Sequence, residues 1–253
     1  MLRSIFLAFI VAASFSSCVS GQKELVEYGL QPGHRGFVPA RIAVLSCQPW
    51  PNGAVFDELP LSNLGTKENQ DFCKHFDEFV VAGFQNQPFM KGFTPKVVDK
   101  FLETSGKADW ITQLPKIWSH ELDDCLVCKN APSFYANSIR PRPQWRQWLN
   151  ELSVMAKNAD AVLIPFLLFG HETRLNERGL RVARRSAAVM LMLVDTNNGQ
   201  LIWAGGRDSS ISTEKLESAS TPESLEFQPW PELFPRLFTN IMWKDFPGRQ
   251  EYD

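Results

Sequence analysis

The stretch "RSAAVMLMLVDTNNGQLIWAGGRDSSIS", residues 185–212, limits the possible folds more than any other part of the chain. A near-continuous apolar strand runs into "TNNG", whose Asn and Gly tolerate positive φ, and a second strand follows through Trp203. The result is a β-hairpin with a buried first strand. Just before it, "DAVLIPFLLFGHET" (160–173) reads as another buried strand. Pro165 inside that run cannot donate to a ladder, so it demands a bulge or an edge position.

The rest of the chain supplies helices around this core. In "ENQDFCKHFDEFVVAGF" the residues Phe72, Phe76, Phe79 and Val80 recur with helical period. "TPKVVDKFLETSG" follows with Thr94 as N-cap, Pro95 in the first turn and Gly106 at the C-terminus. "PQWRQWLNELSVMAKNAD" places Trp145, Trp148, Leu149, Leu152 and Met155 on one face. Trp230, Leu233, Phe234, Leu237, Phe238 and Ile241 mark a last amphipathic helix. "RIAVLSC" (41–47) and "PFMKGF" (88–93) read as short strands, the first bounded by a loop rich in Pro, Gly and Asn.

The order β-α-β-α-loop-α-β-β-β-α predicts an α/β fold. Helices between the early strands imply parallel crossovers, and the closing hairpin adds antiparallel strands. We expect one mixed sheet of about five strands flanked by helices, in a single domain over 40–248. Residues 107–143 show no sustained period and read as an irregular surface insert, with a short helix near 110–118.

Ahead of this domain, Arg3 and the apolar run Ile5–Ala13 have the form of a secretory signal peptide, residues 1–17. The run is too short to span a bilayer as a helix, which takes about 20 apolar residues. "FSSC" then resembles a lipobox, with small residues before Cys18 and Phe15 in place of the usual Leu. Lipidation of Cys18 makes this residue a membrane anchor, because two or more acyl chains give stable attachment. Val19 rather than Asp at the next position points to the periplasmic face of the outer membrane. Residues 18–39 would be the lipidated terminus and tether. The alternative is an ordinary signal peptide cut near Ser20 or Gly21, with Cys18 lost.

The formal net charge of -2 argues against nucleic acid as a partner, since binding phosphates requires a basic face. Arg178, Arg181, Arg184 and Arg185 form a local cluster that fits a solvated strand edge or hairpin rim. Four cysteines remain beside Cys18: Cys47, Cys73, Cys125 and Cys128. In an exported chain they read first as two disulfides, and four cysteines allow three pairings. Cys47 and Cys73 sit at one edge of a β-α unit, and Cys125–Cys128 would close a tight loop; both insert cysteines could instead pair outward.

The competing chemistry for the same quartet is an all-thiolate zinc site, with His120 nearby, or a redox C-x-x-C. Asp123 and Asp124 precede that C-x-x-C and no clear helix follows it, which disfavours a reactive thiolate. His171-Glu172 lacks the second His of a zincin motif, and His75 lies on the polar side of its helix. No nucleophile elbow or phosphate loop occurs, so no catalytic residue, cofactor or metal is expected. Trp110, Trp118 and Tyr135 within the insert are candidate exposed aromatics for a partner surface.

Taken together, "RIAVLS", "KNADAVLIPFLLFGHET" and the hairpin resemble the CsgG/TolB amino-terminal-domain group of bacterial envelope lipoproteins, of the PelC and LpoB type. Ala159–Ile164 matches that group's strand entry and Asp195–Trp203 its hairpin. The resemblance covers residues from about 40 to 245; in it Asp195 and Gly199 shape the turn and Trp203 packs. It implies a non-enzymatic accessory or scaffold subunit of an envelope assembly for secretion, polysaccharide export or cell-wall synthesis. Its partners would be other envelope proteins or further copies of itself. The insert at 107–143 departs from the pattern, and without a second pair of amphipathic strands no pore is expected. The alternative is an exported redox or zinc-binding protein built on Cys47, Cys73, Cys125 and Cys128.

Overall fold

A computed structural model describes residues 28–50, 66–84, 90–118, 130–177, 180–216, 225–237 and 243–248. Seven strands form one open mixed sheet: β1 (Gly29–Leu30), β2 (Arg41–Val44), β3 (Gln48–Pro49), β4 (Lys91–Phe93), β5 (Ala161–Glu177), β6 (Leu180–Asp195) and β7 (Leu201–Leu216). Their order is β1-β7-β6-β5-β2-β4, with β3 also paired to β5. β2 lies parallel to β4 and β5, whereas β5, β6 and β7 form an antiparallel run. The expected α/β class and the mixed pairing are therefore present, with two more strands than the sequence announced. The additional strands, β1 and β3, are two residues each, too short for any period to mark them.

Six helices are described: α1 (Thr66–Phe84), α2 (Pro95–Thr104), α3 (Leu114–Trp118), α4 (Ala131–Phe134), α5 (Pro143–Met155) and α6 (Phe234–Leu237). Proline opens α2 and α5, where its missing N–H costs nothing. Of the expected final helix, Phe238 and Ile241 lie outside the described residues; its described part is a 3-10 turn at Trp230–Glu232 followed by α6, with Pro231 and Pro235 in their first turns. None of the described helices is long and apolar enough to cross a membrane.

Strand alternation divides the core in two. Val162, Ile164 and Phe166 of β5, with Met190, Met192 and Val194 of β6, face the layer built by α2, α3, α4 and α5. Ala161, Leu163 and Leu167, with Val189, Leu191 and Leu193, face α1, α6 and the 243–246 turn. Both faces are covered, so these strands read as continuous apolar runs.

Pro165 is accommodated without a bulge of its own. The carbonyls of Leu163 and Leu167 accept from Leu45 and Trp50, so alternate backbone groups of β5 face β2 and β3. The nitrogen of Pro165 points the same way, into the gap where the chain passes from β2 to β3. The bulge expected there lies three residues later, at Leu168 between Leu167 and Phe169.

The hairpin turn matches its sequence closely. Gly199 has φ +67°, its N–H donates to the Asp195 carbonyl at 2.9 Å, and the Asn197 N–H donates to Asp195 Oδ1 at 2.7 Å. Trp203 is fully buried, stacks on Trp243 at 5.9 Å and donates from Nε1 to the Lys244 carbonyl.

Candidate functional site

Cys47 and Cys73 form a disulfide, with their Cα atoms 5.1 Å apart. Cys47 lies where the chain leaves β2, and Cys73 lies in the first half of α1, so the bond fastens the helix to the strand edge. One helical turn beyond Cys73, the Asp77 carboxylate accepts the Cys47 N–H at 2.7 Å. Burial pushes the Asp77 carboxyl up to about 7; the Asp99 and Glu78 carboxylates raise it further, and the Cys47 hydrogen bond opposes them. The i, i+4 spacing of Cys73 and Asp77 was visible in the sequence, but not the strand end they share.

Cys18, Cys125, Cys128 and His120 lie outside the described residues. With Cys47 and Cys73 joined, a four-thiolate zinc site would lack two ligands. Among the described residues no group of three metal-ligating side chains occurs.

The insert aromatics require a correction. Trp118 and Tyr135 are fully buried and Trp110 is 8% exposed, so they are not a partner surface. Trp118 contacts Trp50 and Trp145 edge-on, both at 5.5 Å, and Phe166 at 4.9 Å. The Tyr135 hydroxyl accepts from Trp145 Nε1 at 2.9 Å and donates to the Gly199 carbonyl at 2.5 Å. Desolvation raises the Tyr135 hydroxyl far above its ordinary range. In place of a surface excursion, α3 and α4 roof the sheet beside α5, and their rings fill the space between.

The long strands reach beyond the insert and the helices around it. β5, β6 and β7 continue past both cores as a three-stranded ribbon joined through the connection at 178–179. The polar sequence of this part hid it, since neither face alternates apolar with polar. Arg181, Arg184 and Arg185 fall on β6, which lies between β5 and β7 and is no sheet edge; Arg178 lies outside the described residues. Arg185 donates to Glu172 at 2.8 Å and lies over the Trp230 ring at 4.8 Å, while Arg174 lies over the Phe227 ring at 4.3 Å. These contacts strap residues 225–230 across one face of the ribbon.

The outer edge of β7 is one open side of the sheet; β4 at the other end and the part of β5 beyond Leu167 are also without a described neighbour on one side. β1 pairs with β7 only at Trp203 and Ala204, and no other described strand flanks β7 there. The Gln31 N–H donates to the Ile202 carbonyl, so the even-numbered residues of β7 direct their backbone groups outward. Arg236 Nη1 caps one of them, the Ser210 carbonyl, at 2.9 Å. From Ser210 to the tip, the outward groups belong to Ser212, Glu214 and Leu216. Such an edge is a template for a further strand.

No protein-family model and no curated protein sequence matches the chain. Several solved structures share partial likeness. The lipoprotein GNA1162 from Neisseria meningitidis is 17% identical over 72% of this chain and 88% of that one, with a TM-score of 0.37. The C-terminal domain of LpoB from Salmonella enterica is 11% identical over 68% and 83%, with a TM-score of 0.33. The PelC dodecamer from Paraburkholderia phytofirmans is 11% identical over 88% and 95%, with a TM-score of 0.32.

Proposed function

We propose that this chain is a lipid-tethered, non-enzymatic accessory protein of the bacterial cell envelope, held through Cys18 at the periplasmic face of the outer membrane. Its partner, an extended segment of another envelope protein, adds to the outer half of the β7 edge. The leader and lipobox support export and anchoring. The Cys47–Cys73 disulfide agrees with an oxidising compartment. The observation that carries the docking reading is the open run of β7 beyond Ser210, where outward N–H and C=O groups of Ser212 and Glu214 meet no described strand. Strand addition draws its affinity from such main-chain groups.

The test is site-directed photocrosslinking in intact membranes. A crosslinker at the exposed Glu214 captures a partner, and one at the exposed Val154 of α5 does not. Ser212→Pro removes one outward N–H without touching the β6 ladder, and should abolish capture while leaving the fold intact. Equal capture from both positions, or capture unaffected by Ser212→Pro, would contradict the docking reading.

A further inference from the structure

The end of the sheet where the chain enters it exposes both apolar and basic side chains. Residues 31–40 carry the chain from the β7 edge, where the Gln31 N–H meets the Ile202 carbonyl, to the start of β2, past the intervening β6 and β5. Midway, Arg35 (φ -61°, ψ 122°) and Gly36 (φ +82°) follow the pattern of a type II turn, closed by the Phe37 N–H on the His34 carbonyl at 3.0 Å. The turn sets Arg35 at its corner and leaves Phe37 37% and Val38 42% exposed. The Phe37 ring leans edge-on against the buried His34 at 6.1 Å.

Apolar exposure gathers at this end. Of the five large hydrophobic residues exposed among those described, Tyr28, Phe37 and Val38 lie in the entry segment, and Val154 lies in the last turn of α5, just ahead of β5. Basic side chains surround them. Arg35, Lys91, Lys157 and Lys244 are exposed, and Arg41 is partly so. The Lys91 N–H donates to the Ala40 carbonyl at 2.9 Å, Arg41 Nη1 reaches the Lys157 carbonyl at 3.0 Å, and Trp203 near the start of β7 holds the Lys244 carbonyl. Against these five cations stand Asp160, already held by Arg41, the exposed Asp245, and Asp195, which is spent on its turn.

The tether decides which end of the sheet can reach a membrane with slack to spare. The Tyr28 ring packs on Gly206, five residues from the start of β7, so the chain leaves the strand within about 17 Å of that start. Residues 18–27 span at most about 35 Å when fully stretched. The ribbon tip at Leu216 stands about 33 Å beyond Gly206. Turning the tip to the membrane would use the whole tether, and turning the entry end uses about half of it.

We propose that this entry end lies on the anionic phospholipid surface of the leaflet that holds the anchor, with Phe37 and Val38 at the acyl boundary and Arg35 and Lys91 on headgroup phosphates. The inference rests on anchoring through Cys18. Apolar side chains enter that boundary while cations meet anionic lipid, and each basic residue near such a surface strengthens attachment about fivefold. A face this small does not hold the chain unaided; the tether supplies the local concentration at which it acts. The open run of β7 beyond Ser210 then points away from the bilayer, toward an arriving partner strand.

The test uses the full lipidated protein reconstituted into vesicles of phosphatidylcholine, alone or in equimolar mixture with phosphatidylglycerol, with nitroxide-labelled acyl chains as quencher. A fluorescent amino acid replaces Phe37 in one preparation. In another it replaces the exposed Val97, at the start of α2 and so at the opposite end of the sheet. With phosphatidylglycerol present, quenching at Phe37 should exceed that at Val97 about fivefold or more. Arg35→Glu/Lys91→Glu should reduce it to the Val97 level with circular dichroism unchanged. Quenching no greater at Phe37 than at Val97 overturns the proposal. So does quenching that is equal in the two lipid mixtures or that the charge reversal leaves unchanged. Flotation of the same vesicles keeps the two readings apart. A wild type that floats without quenching at Phe37 refutes the docked face alone, and one that does not float with the vesicles refutes the anchor and the face with it.

Discussion

The Tyr135 hydroxyl joins two segments far apart in sequence: it donates to the Gly199 carbonyl in the β6–β7 turn while holding Trp145 Nε1 of α5. A turn whose backbone is held by a buried phenol cannot shift without disturbing the helical roof. Tyr135→Phe leaves both partners unsatisfied in an apolar setting and should cost about 1–3 kcal/mol. Urea unfolding reads this as a lower midpoint with an unchanged slope.

Trp118 tests whether the insert belongs to the core. Trp118→Ala empties the centre of an aromatic cluster and should destabilise the fold by about 3–5 kcal/mol. Val154→Ala, at a site 71% exposed, should stay within about 0.5 kcal/mol of wild type. Thermal unfolding of the two variants side by side separates packing from surface.

Asp77 gives the protein a pH signature. Its carboxyl is raised in the folded state, so its contribution to stability is complete below about pH 4 and is lost as pH rises through about 7. Asp77→Asn keeps an acceptor for the Cys47 N–H and carries no charge. The variant should match wild type near pH 4 and exceed it at pH 8 by about 1–2 kcal/mol after allowance for solvent screening. Chemical denaturation at the two pH values measures the difference.

The disulfide closes a loop with a sequence separation of 26. Its removal in Cys47→Ala/Cys73→Ala should cost about 2–4 kcal/mol, chiefly by freeing the unfolded chain. Treatment of the wild type with a dithiol reductant should lower its melting temperature toward that of the double variant.

What could be read in advance follows the strength of local signals. The hairpin was legible because Asp195, Asn197 and Gly199 dictate a turn and apolar runs flank it. The helices α1, α2 and α5 were legible through period and proline placement. The polar halves of β5, β6 and β7 were not, since their few buried apolar residues, such as Val182, Ala183 and Ile211, fall on both faces among polar ones and leave no alternation to detect. Nor was the burial of Trp118 and Tyr135, which depends on α3 and α4 folding back over Phe166. The bulge at Leu168 was not legible either, since Pro165 pointed to a different position for it.

The central claim, a tethered envelope protein, rests on Cys18. Fractionation of cells expressing wild type and Cys18→Ser, with the mass of the N-terminal peptide determined, tests it most directly. The account predicts a wild-type protein in the outer membrane with an acylated N-terminal cysteine, and a Cys18→Ser protein released to the soluble fraction. Membrane retention of Cys18→Ser at the wild-type size, or an unmodified mature terminus beyond Cys18 in the wild type, would contradict it.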